Sequence, residues 1–102
     1  MELPIVCNRS ELSREEQERQ RLFIRELLAT ALEKRALPNG LYFRFPAAAL
    51  SKVAELIAIE RCCCPFLDIH LESKASEPFV AVTLEGPAGT REVLEAELQV
   101  FS

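Results

Sequence analysis

No apolar run in this chain approaches the roughly 20 residues that a membrane-spanning helix needs, and Met1 to Cys7 lacks the basic start and long apolar core of a secretory signal. Basic residues are in deficit: 12 Lys and Arg against 16 Asp and Glu leave a net charge of −4. That balance argues against a nucleic-acid footprint and against docking on an anionic membrane. There is no C-x-x-C pair, which weakens a zinc-ribbon reading. Gly86-Pro87-Ala88-Gly89 is too short for a phosphate-binding loop, lacks its Lys-Ser/Thr ending and reads as a turn. What remains is a composition of 49% hydrophobic and 27% charged residues, the balance of an ordinary globular protein. Its length suits one domain over residues 1–102 with a modest core.

Along the chain, Ser10 and Ser13 are candidate helix caps, with Glu15 and Glu16 where the helix dipole favours acids. Residues 13–36 run without Gly or Pro and predict a helix, with Leu22, Phe23, Leu27, Leu28, Ala31 and Leu32 as its buried stripe. Its charged first half, 14–21, reads as a solvated face with room for self-association, though without a sustained heptad. Pro38-Asn39-Gly40 stops it. Residues 41–46 alternate as a half-buried strand ended by Pro46, and 47–63 predict a second helix that Pro65 terminates. Residues 66–72 and 79–85 form a predicted hairpin, and 91–100 a last short helix with Val93, Leu94 and Leu98 inward. The order α-β-α-β-β-α predicts an α+β two-layer sandwich: a three-stranded, mainly antiparallel sheet with helices on one face. It has the look of a ferredoxin-like arrangement missing its last strand.

The chemistry concentrates in Cys62-Cys63-Cys64, directly before Pro65, with a fourth cysteine at Cys7. Neighbouring cysteines cannot staple a loop, and their Cα spacing is shorter than disulfide geometry prefers, so reduced thiols and a cytoplasmic setting are expected. Helical positions turn by about 100° per residue, so three adjacent thiols cannot converge while helical. Relaxation at Pro65 lets Cys63 and Cys64 re-aim toward one centre. A soft ion, Hg(II), Cu(I) or Zn(II), suits such a pair, with Cys62, Cys7 or Glu60 as helpers. Cys7 could fold back to the cluster or simply pack. A helix C-terminus disfavours thiolate, which weighs against a nucleophile, whereas coordination itself removes the thiol proton.

Each residue also has a plainer reading. Cysteine is a small hydrophobe that packs well in cores. Glu60 precedes Cys63 and Cys64 by three and four residues; it could serve the thiols or instead pair with Arg61, Arg44 or a backbone amide. His70, the one histidine, stands between Asp68 and Glu72 on a polar strand face and reads as surface.

At Glu60-Arg61-Cys62-Cys63-Cys64-Pro65-Phe66-Leu67 the chain resembles a family of small, largely uncharacterised bacterial proteins that share an E-R-x-C-C-P-F pattern. In that family a strand hairpin and a G-P-x-G turn follow, matched here by Gly86-Pro87-Ala88-Gly89, and Leu41 to Pro46 is similar to its first strand. The resemblance gives Cys63 and Cys64 more weight than Cys62. It also implies a link to heavy-metal resistance, and no catalytic residue carries over from it. The expectation is a small, non-enzymatic soft-metal-binding protein. The alternatives are a thiol redox protein or sensor, and a dimeric interaction domain whose cysteines are packing.

Overall fold

The computed structural model describes residues 5–101, in which three helices cover one face of a four-stranded antiparallel sheet. The α+β class and the helical layer agree with expectation, whereas the sheet has one strand more than the three predicted. The helices are α1 (Arg14–Thr30), α2 (Leu50–Cys63) and α3 (Thr90–Phe101); the strands are β1 (Glu33–Leu37), β2 (Gly40–Pro46), β3 (Asp68–Ser73) and β4 (Phe79–Glu85). Ser13 caps α1 in a full capping box: its hydroxyl accepts from the Glu16 amide, and the Glu16 carboxylate accepts from the Ser13 amide.

The extra strand comes from the tail of the predicted first helix. α1 ends at Thr30, and residues 33–37 pair with β2 in register Glu33↔Arg44 through Leu37↔Gly40. Local propensity permits helix here, but the edge of β2 offers a ladder of backbone hydrogen bonds, and that tertiary opportunity wins. Pro38 and Asn39 thus turn a hairpin. Side chains reinforce it: Arg44 Nε lies 3.2 Å from Glu33, and the Arg35 guanidinium stacks 4.6 Å from the centre of the Tyr42 ring. The strand order β1-β2-β4-β3 has a consequence for topology. β2, α2, β3 and β4 form a split β-α-β unit, and β1, from upstream in the chain, occupies the edge that a ferredoxin-like fold fills with its last strand.

The core lies where Leu41, Phe43 and Phe45 of β2 and Val80 and Val82 of β4 meet Leu27, Val53 and Leu94 from the three helices. Register follows from this, because a one-residue slip would turn that whole face to water. The expected stripe on α1 is rotated: Gln20, Ile24 and Leu27 are buried, while Leu22 and Leu32 are exposed. On α2, Val53, Ile59 and Cys63 are buried, and Leu50 is partly exposed at its start.

Gly40 fits a close approach of β2 to β4. A Cβ there would fall on the carbonyl of Leu84, which is backbone and cannot swing aside. We predict that Gly40→Ala destabilises the protein by about 1–3 kcal/mol, the cost of overpacking a site that cannot relax; urea unfolding with an unchanged m-value measures it.

Candidate functional site

The segment before α1 straps back across the end of α2. One 3-10 turn at Arg9–Glu11 is capped by the Asn8 side chain, which accepts from the Ser10 amide at 3.1 Å. Leu12 buries itself in a second apolar cluster with Ile59, Cys63, Cys64 and Phe66. The Asn8 amide donates to the Cys63 carbonyl at 2.7 Å, satisfying one of the acceptors that a helix end leaves open. Cys64, beside Pro65, leaves the helix at φ −121°, ψ 76° while its amide still bonds the Glu60 carbonyl at 2.7 Å.

These two placements bring Cys7 and Cys64 together as a disulfide spanning 57 residues. The expectation of fully reduced thiols is thereby corrected. Contiguity does bar pairing among residues 62, 63 and 64, but it says nothing of a remote partner carried in by a folded-back strap.

Cys63, fully buried, keeps a free thiol whose sulfur lies 3.4 Å from the Cys64 sulfur. Cys62 is exposed on the far side of α2, in a shallow groove with Glu16, Arg19 and Glu55. The predicted ligand set therefore divides: Cys7, Cys63 and Cys64 come together and Cys62 stays apart. Glu60 joins them, one carboxylate oxygen 3.2 Å from the Cys64 sulfur and the other accepting from Gln20 Nε2 at 2.9 Å. Its polar partner is thus Gln20 rather than the expected Arg61, Arg44 or backbone amide. His70, Asp68 and Glu72 remain exposed on β3.

Two residues of the site were not anticipated. Gln20 is wholly buried although it lies in the stretch that reads as solvated; it holds Glu60, approaches the Cys63 sulfur at 3.7 Å and accepts from Arg9 Nε at 2.9 Å. The signal was its i, i+4, i+7 alignment with Ile24 and Leu27. Glu97 points from α3 toward the sulfurs, 4.0 Å from Cys64, and its Oε1 is buried with no hydrogen-bond partner among the described residues. Its signal was a position three residues after Leu94 and four after Val93, on the apolar side of the helix.

Donor atoms of Cys7, Cys63, Cys64 and Glu97 all lie within 4.8 Å of one another. Tetrahedral coordination at a metal–sulfur distance of about 2.3 Å would set sulfurs about 3.8 Å apart, so the 3.4 Å between Cys63 and Cys64 needs little adjustment. Burial dominates the electrostatics. It pushes the Cys63 thiol up to about 12, helped by the charges of Glu60 and Glu97. It raises Glu97 to about 7, with Glu60 adding to the shift, and raises Glu60 despite the bond from Gln20. Arg9 supplies partial compensation to all three. A disulfide sulfur carries no proton, so in the oxidised chain the short Glu60–Cys64 contact favours a neutral carboxyl that donates to sulfur; in the reduced chain the thiol would donate instead.

The disulfide joins cysteines 57 positions apart, so loop-closure entropy predicts that its reduction costs about 4 kcal/mol; urea unfolding with and without reductant measures this. Glu97 gives a second prediction. Its proton is held more tightly in the folded chain, so the associated stability is fully present below about 4.5 and is lost as pH rises through about 7. Melting temperature should fall across that window, and Glu97→Gln should make the fall shallower.

Compared with family models, with characterised proteins and with solved structures, the chain matches none.

Proposed function

We propose that the reduced protein binds one soft metal ion through Cys7, Cys63 and Cys64, with Glu97 as the fourth donor and Glu60 and Gln20 supporting the sulfurs. One observation carries this reading: three sulfurs and a carboxylate from three separate segments converge, Cys63 and Cys64 buried and Cys7 and Glu97 half-buried. Thiolate donors select soft or borderline ions, so Hg(II), Cu(I) and Zn(II) are the candidates. Cys63 does not ionise on its own near neutral pH, but a cation displaces its proton and neutralises charge that the seam otherwise holds poorly. A reducing compartment such as the cytoplasm would keep Cys7 and Cys64 open for this role. The donors all belong to one chain, so the site does not call for a homodimer. The resemblance to the E-R-x-C-C-P-F proteins points the same way.

A thiol redox role is the second reading, favoured by the 3.4 Å between Cys63 and the Cys64 sulfur of the disulfide. Attack by a Cys63 thiolate would form a Cys63–Cys64 bond and release Cys7 as thiolate. Two facts weigh against it. A thiol pushed up to about 12 supplies very little thiolate, and adjacent residues sit about 3.8 Å apart, short of the usual disulfide range of about 4.4–6.8 Å between Cα atoms. Pure packing, the third reading, leaves two buried carboxylates beside the sulfurs unexplained.

Anaerobic titration of the reduced protein with Hg(II), Cu(I) and Zn(II), followed by ultraviolet thiolate-to-metal bands and native mass, tests the site. One ion per chain is expected. Cys63→Ser/Cys64→Ser should weaken binding by more than about 100-fold and Glu97→Gln by about 10–100-fold, since even supporting groups are worth that much. Equal binding by the double variant would remove the metal reading.

A further inference from the structure

The two carboxylates of the site face in two directions. Toward the sulfurs, Glu60 and Glu97 approach Cys64 at 3.2 and 4.0 Å. On the other side both line a cavity of about 80 Å3 between the sheet and the helical layer. Every other lining side chain is aliphatic or phenylalanine, among them Phe43, Phe45, Val82, Val53, Leu56 and Leu94. This space could hold more than one water, for which about 10–15 Å3 suffices, but its walls offer no hydrogen bonds except at the glutamate end. An apolar cavity of about 150 Å3 stays dry and accepts benzene; one about half as large suits a group of one or two carbons.

The sulfurs have their own approach from outside. A surface groove reaches Cys7 and Glu97, with Ile5, Val6, Arg9 and Val93 among its other lining residues. Groove, cavity and sulfur site thus share one residue. Glu97 belongs to all of them: it lines groove and cavity, and it is one of the four converging donors.

We infer that the preferred ligand is a soft metal cation carrying one short alkyl group, the metal held by the cysteine sulfurs and the alkyl group lodged beyond Glu60 and Glu97 in the apolar cavity. This rests on the soft-metal reading above and extends it to the class of ligand. A singly alkylated cation brings one positive charge, which lessens the number of buried thiols that must ionise together. Its organic group gains what a bare ion cannot, the transfer of methyl or methylene surface from water into a preformed apolar space. Oε1 of Glu97 is buried with no hydrogen-bond partner among the described residues, and the cation would give it one.

Competition against a small free thiol tests the inference, with reduced protein and four probes: Hg(II), methylmercury, ethylmercury and phenylmercury. Normalising to the thiol removes intrinsic mercury–sulfur strength. Ethylmercury should bind about fourfold more tightly than methylmercury, the gain for one buried methylene, and phenylmercury should lose affinity because its ring exceeds the cavity. Val82→Ile, which adds one methylene to the cavity wall, should abolish the ethyl advantage while leaving Hg(II) affinity and melting temperature within error. Equal affinities for methyl and ethyl, an undiminished phenyl affinity, or an ethyl advantage that survives in Val82→Ile would each overturn the inference. Those outcomes leave Hg(II) binding intact, whereas loss of Hg(II) binding itself would bring down the soft-metal site.

Discussion

A seam between α2, α3 and the N-terminal strap keeps two carboxylates, a primary amide and three sulfurs largely away from water, and the surrounding structure answers to that burden. Buried carboxylates are costly unless protonated, hydrogen-bonded or matched by positive charge. Here all three remedies are used in part. Gln20 donates to Glu60, Arg9 brings a guanidinium to Gln20 and lends positive charge to the seam, and Glu97 shifts toward its neutral form. None is complete, since Glu97 keeps an oxygen with no hydrogen-bond partner among the described residues.

The strap makes the seam possible. It is a short irregular segment, yet it is tied at two adjacent residues, by the Cys7–Cys64 disulfide and by the bond from the Asn8 amide to the Cys63 carbonyl. Arg9 follows directly and reaches both Gln20 and the Gln17 carbonyl on α1. The cap of α2, the cover of the second apolar cluster and the charge that faces Glu60 therefore come from one folded-back stretch. The disulfide adds a covalent tie to the backbone hydrogen bond and to the burial of Leu12 that hold the strap against α2.

The main core carries a different duty. β2 and β4 present an apolar face to three helices, and the cavity left there sits behind the glutamates rather than behind the thiols. Its walls come both from the sheet, at Phe43, Phe45 and Val82, and from the three helices, at Leu27, Val53 and Leu94.

Much of the architecture was legible in the chain itself. Alternation at Leu41, Phe43 and Phe45 and at Val80, Val82 and Leu84 marks the two central strands; Ser13 marks a helix start and Pro65 a helix end, all from local geometry that needs no distant partner. The convergence of Cys63 with Cys64 was legible for the same reason. Residues 33–37 were not, because their backbone bonds go to β2 and propensity alone cannot weigh an available edge. Gln20 and Glu97 followed helical periodicity, yet their polarity argued for solvent until other helices closed over them. The pairing of Cys7 with Cys64 lay furthest beyond reach. Its partners are 57 residues apart, and only the folding of the strap over α2 decides which sulfur Cys7 meets.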